Sequence, residues 1–529
     1  MAARARGGLF AAAAAGVAAA VLGAGLGELT AALIAPEASP FAGIGAALID
    51  LAPTWAKDAA IALFGTNDKI ALLVGMGVVL VLLAAVIGLV ERRWPPFGIA
   101  AMVVIGGLGG FAVATRPNAD ALAWMPSVLA GVLAAVALAQ LTPRIPGRLR
   151  VAPIAVPERA TLPEPDPAEE PTPVARRTFL AWTLGTAAVG VLAAVGASMV
   201  RAGVHAVSVV RDALSLPAAA VVAAPVPETA ELGIAGLAPV ITPNAEFYRI
   251  DTALLVPQVD PADWTLRIHG LVASEVTITW DELIALPLTE SVTTLACVSN
   301  EVGGELIGNA LWLGYPIRDL LARAAPTAEA DMVLSRSIDG FTASTPLEVL
   351  TDARNAILAI GMNGEPLPPE HGFPVRMVVP GLYGYVSATK WVTELEVTRF
   401  DRATAYWTTR GWSERGPIKL QSRIDVPRKG QGLKAGDTVI AGVAWQQQVG
   451  IAGVEVQIDD GAWQPATLAT AISTDTWVQW SMPWTATVGD HVLRCRATNA
   501  IGEVQTETRT RTDPDGATGW HERFVNVFA

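Results

Sequence analysis

Apolar positions follow two different rhythms along this chain. Before residue 201 they form unbroken runs of spanning length, at about 9–35, 70–90, 98–115, 121–141 and 179–200, which predict five transmembrane helices. The stretch 43–64 is interrupted by Asp50, Pro53, Lys57 and Asp58, and its amphipathic pattern predicts a segment lying along the membrane interface. Beyond residue 201 the runs shorten. From 244 to about 410, strand-like stretches such as Trp264-Thr-Leu-Arg-Ile-His-Gly270 alternate with helical ones such as 347–352, the pattern of a mixed α+β domain. From about 419 onward short alternating strands are expected at 437–445, 451–458, 463–468, 491–498 and 503–509, with Asp459-Asp460-Gly461 as a hairpin turn, the signature of a β-sandwich. No internal repeat with a period of tens of residues is evident.

Composition sharpens this division. Of 529 residues 52% are hydrophobic and 16% charged, with mean hydropathy +0.42, too apolar for one soluble globular protein. With the N-terminus inside, Arg4, Arg6, Arg92, Arg93, Arg144, Arg148, Arg150, Arg159, Arg176 and Arg177 fall on the cytoplasmic side, against Lys57, Lys69 and Arg116 outside. That bias directs the fifth helix outward and places everything after Arg201 outside the cytoplasm. The Pro-, Glu- and Ala-rich stretch 153–173 reads as a solvated linker between the fourth and fifth helices. The expected division is therefore 1–141 for four spanning helices and the interfacial segment, 142–177 for a cytoplasmic linker, 178–200 for the fifth helix, 201–243 for an outer linker, 244–418 for the α+β domain and 419–529 for the β-sandwich. A net charge of −12 gives no support for a nucleic-acid partner.

The chemistry-bearing residues are few. Cys297, in Ser291-Val-Thr-Thr-Leu-Ala-Cys297-Val-Ser-Asn300-Glu301, sits where a β-branched run gives way to polar, Gly-rich sequence, so it is expected to cap a strand and face a loop. Cys495 alternates with Arg494 and Arg496, which predicts a packing thiol facing the sandwich core. No Cys-x-x-Cys sequence is present, so neither an attached haem c nor a zinc or iron–sulfur site is expected. The histidines, His205, His269, His371, His491 and His521, all lie outside the apolar runs, which argues against a transmembrane haem ligated by this chain alone. Glu28 near a helix end gives little support for an ion path. The helices read as an anchor or docking surface.

Two further segments, His371-Gly-Phe-Pro-Val-Arg376 and Ser387-Ala-Thr-Lys390-Trp391, follow Cys297 in order, and together they closely resemble the pterin-binding segments of the sulfite oxidase family of molybdenum enzymes. The resemblance runs over roughly 240–529. It implies a molybdenum–molybdopterin cofactor, with Cys297 as the thiolate ligand of the metal and Phe247, Tyr248, Arg249, Asp339, His371, Arg376, Ala388, Thr389 and Lys390 around the pterin. Arg249 matches the family's first active-site arginine, Trp412 stands where the family has a tyrosine, and Glu301 and Val302 stand where sulfite-oxidising members carry a basic pair. A carboxylate at Glu301 facing the metal repels sulfite, leaving a neutral sulfoxide as the alternative substrate.

The family also implies an immunoglobulin-like dimerisation domain at the C-terminus, hence a homodimer, and a separate electron carrier such as a cytochrome or membrane redox protein. Arg176-Arg177-Thr178-Phe179-Leu180 resembles a twin-arginine export signal, here internal, with Ala175 and Ala181 in place of the usual hydroxyl and lysine residues. Such a route suits a domain loaded with cofactor in the cytoplasm. A different class, a non-catalytic membrane-bound binding protein on the same scaffold, is opposed by the joint presence of Cys297, His371, Arg376 and Lys390.

Overall fold

The computed structural model describes residues 2–35, 38–41, 43–45, 68–115, 121–145, 173–203, 206–253, 256–428 and 430–529. The interfacial segment expected at 43–64 and the linker expected at 153–173 lie, but for a few terminal residues, outside these. The chain divides into two compact units, Met1–Ala206 with Ala253–Leu255, and Val207–Thr252 with Val256–Ala529.

The first unit contains the helices Ala2–Ile34, Asp68–Arg93, Phe97–Ala114, Met125–Leu141 and Pro173–Gly203, each long and apolar enough to cross a membrane. The first of them packs against the second, fourth and fifth. Small residues allow this: Ala12, Ala15 and Ala19 are wholly buried, and Gly16 and Gly88 approach so closely that a Cβ on either would overlap the other helix's backbone. Outward faces carry exposed Val74, Val79 and Leu82. Pro126 in the first turn, where a missing N–H costs nothing, starts the fourth helix at Met125, four residues later than the apolar run suggests. Glu28 accepts hydrogen bonds from Ser39 Oγ (2.8 Å) and Phe41 N (2.9 Å), so its carboxylate is engaged locally.

The second unit begins with a mixed α+β region. One sheet runs Val276–Thr279, Thr265–Gly270, Val392–Thr398, Met332–Ser337, Thr342–Pro346, with a single parallel pair between Thr265–Gly270 and Val392–Thr398. A second runs Thr289–Ala296, Ile307–Pro316, Ile357–Met362, Glu365–Pro366, with Arg376–Val378 pairing alongside Ile357–Met362. Its face packs Leu295, Trp312, Ile357, Met362 and Phe373 into one core together with Phe247.

The chain then enters a β-rich region of two sheets. The first comprises Gln421–Val426, Gly436–Trp445, Val478–Ala486 and Thr467–Leu468; the second comprises Leu433–Lys434, His521–Phe528, Gly489–Asn499, Ile451–Ile458 and Gln464–Pro465. Both contribute to a shared core that includes Ile440, Trp480, Leu493 and Val525. Cys495 is wholly buried in it, its thiol pushed up to about 12 by desolvation.

The strand expected at 503–509 is absent: only Val504 bridges Thr498. The reason is that His521–Phe528 takes that edge of Gly489–Asn499, while Gln505 turns its amide inward to accept from Ser422 Oγ (2.7 Å) and donate to Gly519 O (2.8 Å).

Candidate active site

Cys297 directly follows the strand Thr289–Ala296, whose residues from Ser291 onward are buried. Its amide donates to Leu306 O (2.9 Å), its carbonyl accepts from Asn300 N (3.1 Å), and Asn300 Oδ1 closes the loop on Leu306 N (2.9 Å). Desolvation raises the thiol's pKa, and hydrogen bonds from the Ser299 backbone and hydroxyl pull in the opposite direction.

This thiol opens on a cavity enclosing about 870 Å³ of empty space, part of it at the mouth. Cys297, Phe247, Tyr248, Asp339, His371, Arg376, Ala388, Lys390 and Trp412 all line it, while Arg249, Thr389 and Glu301 do not. Tyr248 is half-buried, its pKa raised by desolvation and by Cys297, so it is a neutral phenol. The three basic side chains converge from one stretch of sequence. His371 Nε2 meets Asn244 O at 3.2 Å, and burial together with Arg376 and Lys390 pushes its pKa down to about 4, leaving the ring neutral at pH 7. Arg376 donates from Nη1 to His371 O (3.1 Å) and lies over the Trp312 ring at 5.1 Å; burial pushes it down to about 10, still charged at neutral pH. Lys390 Nζ reaches Asp251 Oδ2 (2.6 Å) and Glu370 O (2.9 Å), and burial outweighs the aspartate to bring its pKa down to about 8.

Three sequence readings need qualification. Arg249 is about one-third exposed and its Nε is paired with Asp251 Oδ2 at 2.9 Å, so it reaches the basic cluster through a shared carboxylate rather than by lining the cavity. Thr389 is fully buried with its hydroxyl 2.7 Å from Ser335 Oγ, and its carbonyl accepts from Met377 N (2.9 Å), which ties the lysine segment to the arginine strand. Glu301 is exposed and outside the cavity wall. The turn closed by Gly304 N on Glu301 O (2.8 Å) carries its side chain outward, which removes the basis for charge repulsion at the reacting centre.

Sequence reasoning missed part of the wall. Phe341, Tyr385 and Trp407 join Trp412 there, with Trp407 edge-on to Trp412 at 6.2 Å and Tyr385 tilted against it at 5.9 Å. The Tyr385 hydroxyl donates to Ser413 O (2.8 Å), which fastens the loop bearing Trp412. Trp407 and Trp412 lie in one short segment rich in aromatic residues, a signal available in the sequence. Ser299 and Ser337 also line the cavity, and nothing in their local sequence marks them.

Comparison with known proteins places this geometry. Residues 253–407 match the family model described as the oxidoreductase molybdopterin binding domain. That is the class of the region carrying the cavity. Human mitochondrial sulfite oxidase is 31% identical over 271 residues, covering 43% of this chain and 49% of its own length. The uncharacterized oxidoreductase YuiH of Bacillus subtilis is 34% identical over 157 residues, covering 30% of this chain and 76% of its own. The sulfane dehydrogenase SoxCD of Paracoccus pantotrophus aligns at 23% identity with a TM-score of 0.48, over 55% of this chain and 84% of that one. The chain belongs to the sulfite oxidase family of molybdopterin-binding oxidoreductases. It spans about half the length of the mitochondrial relatives it matches.

The residues fit the cofactor this family implies. Arg376 is buried and, among the described residues, has no carboxylate within ion-pair distance, an arrangement that an anionic phosphate in the cavity would offset. Cys297 offers a soft sulfur on the same wall, and a metal cation beside it would reverse the upward pull of burial on the thiol. Among the described residues no group of three or more His, Cys, Asp or Glu side chains is arranged to hold a metal ion, so Cys297 stands as a single protein sulfur on this wall.

Proposed function

We propose that this protein is a membrane-anchored molybdenum–molybdopterin oxidoreductase whose site faces the extracytoplasmic side. The carrying observation is a single cavity onto which a buried cysteine, a neutral imidazole and two buried cations open. Cys297 would hold the metal, and His371, Arg376 and Lys390 the pterin phosphate, with Tyr248, Ala388 and Asp339 bounding the same space. When bound, the cofactor supplies two-electron oxygen-atom transfer, with electrons passing singly to or from a separate carrier. The chain's own residues fix the thiol, supply positive charge to the phosphate and line the cavity with rings that limit water. Metal analysis of the purified protein tests this reading, because a non-catalytic scaffold would carry no molybdenum.

A second reading of the substrate is favoured by the aromatic wall. Phe341, Tyr385, Trp407 and Trp412 give the cavity an apolar side that suits an uncharged sulfoxide better than a small dianion. Steady-state kinetics with sulfite against a neutral methyl sulfoxide separates the two. A clear kcat/KM preference for sulfite would remove the sulfoxide reading.

Lys390 makes cofactor retention pH-dependent. Its pKa in the folded, cofactor-free chain is brought down to about 8, so the ammonium needed for phosphate is present below that pH and lost above it. Affinity for the cofactor is therefore expected to fall as pH rises past about 8, by up to about tenfold per unit, and Lys390→Arg should flatten the fall. Cofactor content after dialysis across that range is the measurement.

The helical unit supports the membrane reading through five long apolar helices and exposed aliphatic faces. Protease added to sealed right-side-out vesicles is expected to cut beyond Arg201 and spare residues 153–173; the reverse pattern would put the active site in the cytoplasm. We read the C-terminal pair of sheets as immunoglobulin-like and as the surface for a homodimer, with residues 244–418 as the cofactor domain and 419–529 as the dimerisation domain. The twin-arginine-like start of Pro173–Gly203 would allow export of the loaded domain, and electrons would pass to a cytochrome or membrane redox protein.

A further inference from the structure

The backbone on both sides of Cys297 is tied to the C-terminal β-rich region. On the strand side the contact is Thr294, which is wholly buried. Its amide donates to Asp475 O (2.9 Å), its carbonyl accepts from Gln447 Nε2 (3.0 Å), and its hydroxyl accepts from Trp477 N (2.8 Å) while donating to Asn309 Oδ1 (2.9 Å). On the loop side, Gly304 O accepts from Arg423 Nη1 at 2.8 Å. The same guanidinium is fixed by Asp425, through Nε to Oδ1 (2.6 Å) and Nη2 to Oδ2 (3.3 Å). Next to it Gly303, at φ +78°, lies against the His521 ring, where any side chain would overlap the imidazole. His521 is itself held by Ile424 N donating to Nδ1 (2.9 Å).

We infer that Arg423, Gln447 and His521 are positioning residues for Cys297, and that the C-terminal β-rich region thereby completes the active site instead of merely flanking it. The physical reason is that the cysteine sits at a strand-to-loop junction, where the regular ladder of strand hydrogen bonds ends. A displacement of about 1 Å at a reacting centre is enough to cost roughly a hundredfold in rate. Anchoring Thr294 and Gly304 to one packed region restrains the backbone at both ends of the segment carrying the sulfur. The significance of this for catalysis rests on Cys297 being the metal ligand, but the positioning itself is measurable without any cofactor.

The 529-residue chain purified without molybdenum provides the test, with the alkylation rates of Cys297 and Cys495 by iodoacetamide followed by peptide mass spectrometry. Cys495, wholly buried in the core of the β-rich region, serves as an internal report on whether that region stays folded. In Arg423→Met, Cys297 is expected to react about tenfold faster or more, as when a charge-assisted hydrogen bond no longer opposes local opening, while Cys495 stays protected. Gln447→Leu, which keeps side-chain bulk and leaves the Arg423–Asp425 pair intact, should act in the same direction. Unchanged Cys297 reactivity with Cys495 protected in both variants would overturn the inference. So would both thiols opening together in both variants, since the residues would then hold the β-rich fold and not the cysteine. Because the readout is thiol chemistry in metal-free protein, failure here is distinguishable from failure of the cofactor assignment, which metal content decides.

Discussion

Cys297→Ser is expected to abolish turnover, by on the order of a thousandfold or more, while the protein remains folded. The sulfur is the one feature of this residue the site depends on. Its backbone contacts to Leu306 and Asn300 survive the substitution, and exchanging sulfur for oxygen opens almost no cavity at a position already 8% exposed. Stability should therefore change by less than about 1 kcal/mol, a shift of a few degrees in Tm. A hard hydroxyl is a poor donor to a metal that a thiolate suits, so molybdenum content or its coordination should change together with activity. The check pairs activity and metal analysis with thermal melting. Full turnover by a serine variant that still carries molybdenum would refute the ligand role, and a large loss of Tm would mean that Cys297 is a packing residue.

The parts of this site that were legible in the sequence are those encoded locally. A β-branched run ending in Cys297, and a compact His371-to-Arg376 segment followed by Lys390, are continuous strings whose side chains converge because two strands of one sheet, Thr289–Ala296 and Arg376–Val378, and the loop after the second bring them together. What the sequence hid depends on long-range packing. Glu301 looked well placed by its distance from Cys297, yet the turn through Gly303 and Gly304, pinned by His521 and Arg423 more than a hundred residues away, carries it out of the cavity. Arg249 pairs with Asp251 two residues on, a local contact, whereas it is the fold that brings Lys390 to the same carboxylate.

The β-rich region teaches the same lesson. Val478–Ala486 lacks a strand's alternation at its start, because Val478, Gln479 and Trp480 are consecutively buried, and Pro483 argues against a central strand. The proline is tolerated because the neighbouring strand Thr467–Leu468 reaches only Trp480 and Ser481, leaving Pro483 on a free edge. Hydroxyl and amide contacts such as Thr294 to Gln447 and Trp477 carry no periodic signal at all, although they join the strand leading to Cys297 to a different part of the chain.

Arg376→Met should strip the cofactor and leave the empty protein as stable as before, or more so. The wild-type guanidinium is 5% exposed, holds only carbonyl partners at His371 O (3.1 Å) and Met377 O (3.4 Å), and faces the Trp312 ring, with no carboxylate to offset its desolvation among the described residues. Burial lowers its pKa to about 10, so at pH 7 the chain bears the cost of a buried cation whenever the cavity is empty. Methionine can occupy the space over Trp312 without that cost. An anionic phosphate would gain a charge-assisted contact from the arginine of about 1.5–3 kcal/mol, so its loss should lower cofactor affinity by roughly ten- to a hundredfold. The two effects carry opposite signs, which is what makes the experiment decisive. Molybdenum content and the Tm of metal-free protein are measured on the same preparations. Retained cofactor with a lowered Tm would show that Arg376 holds the 371–377 segment together and that the phosphate is bound by other groups.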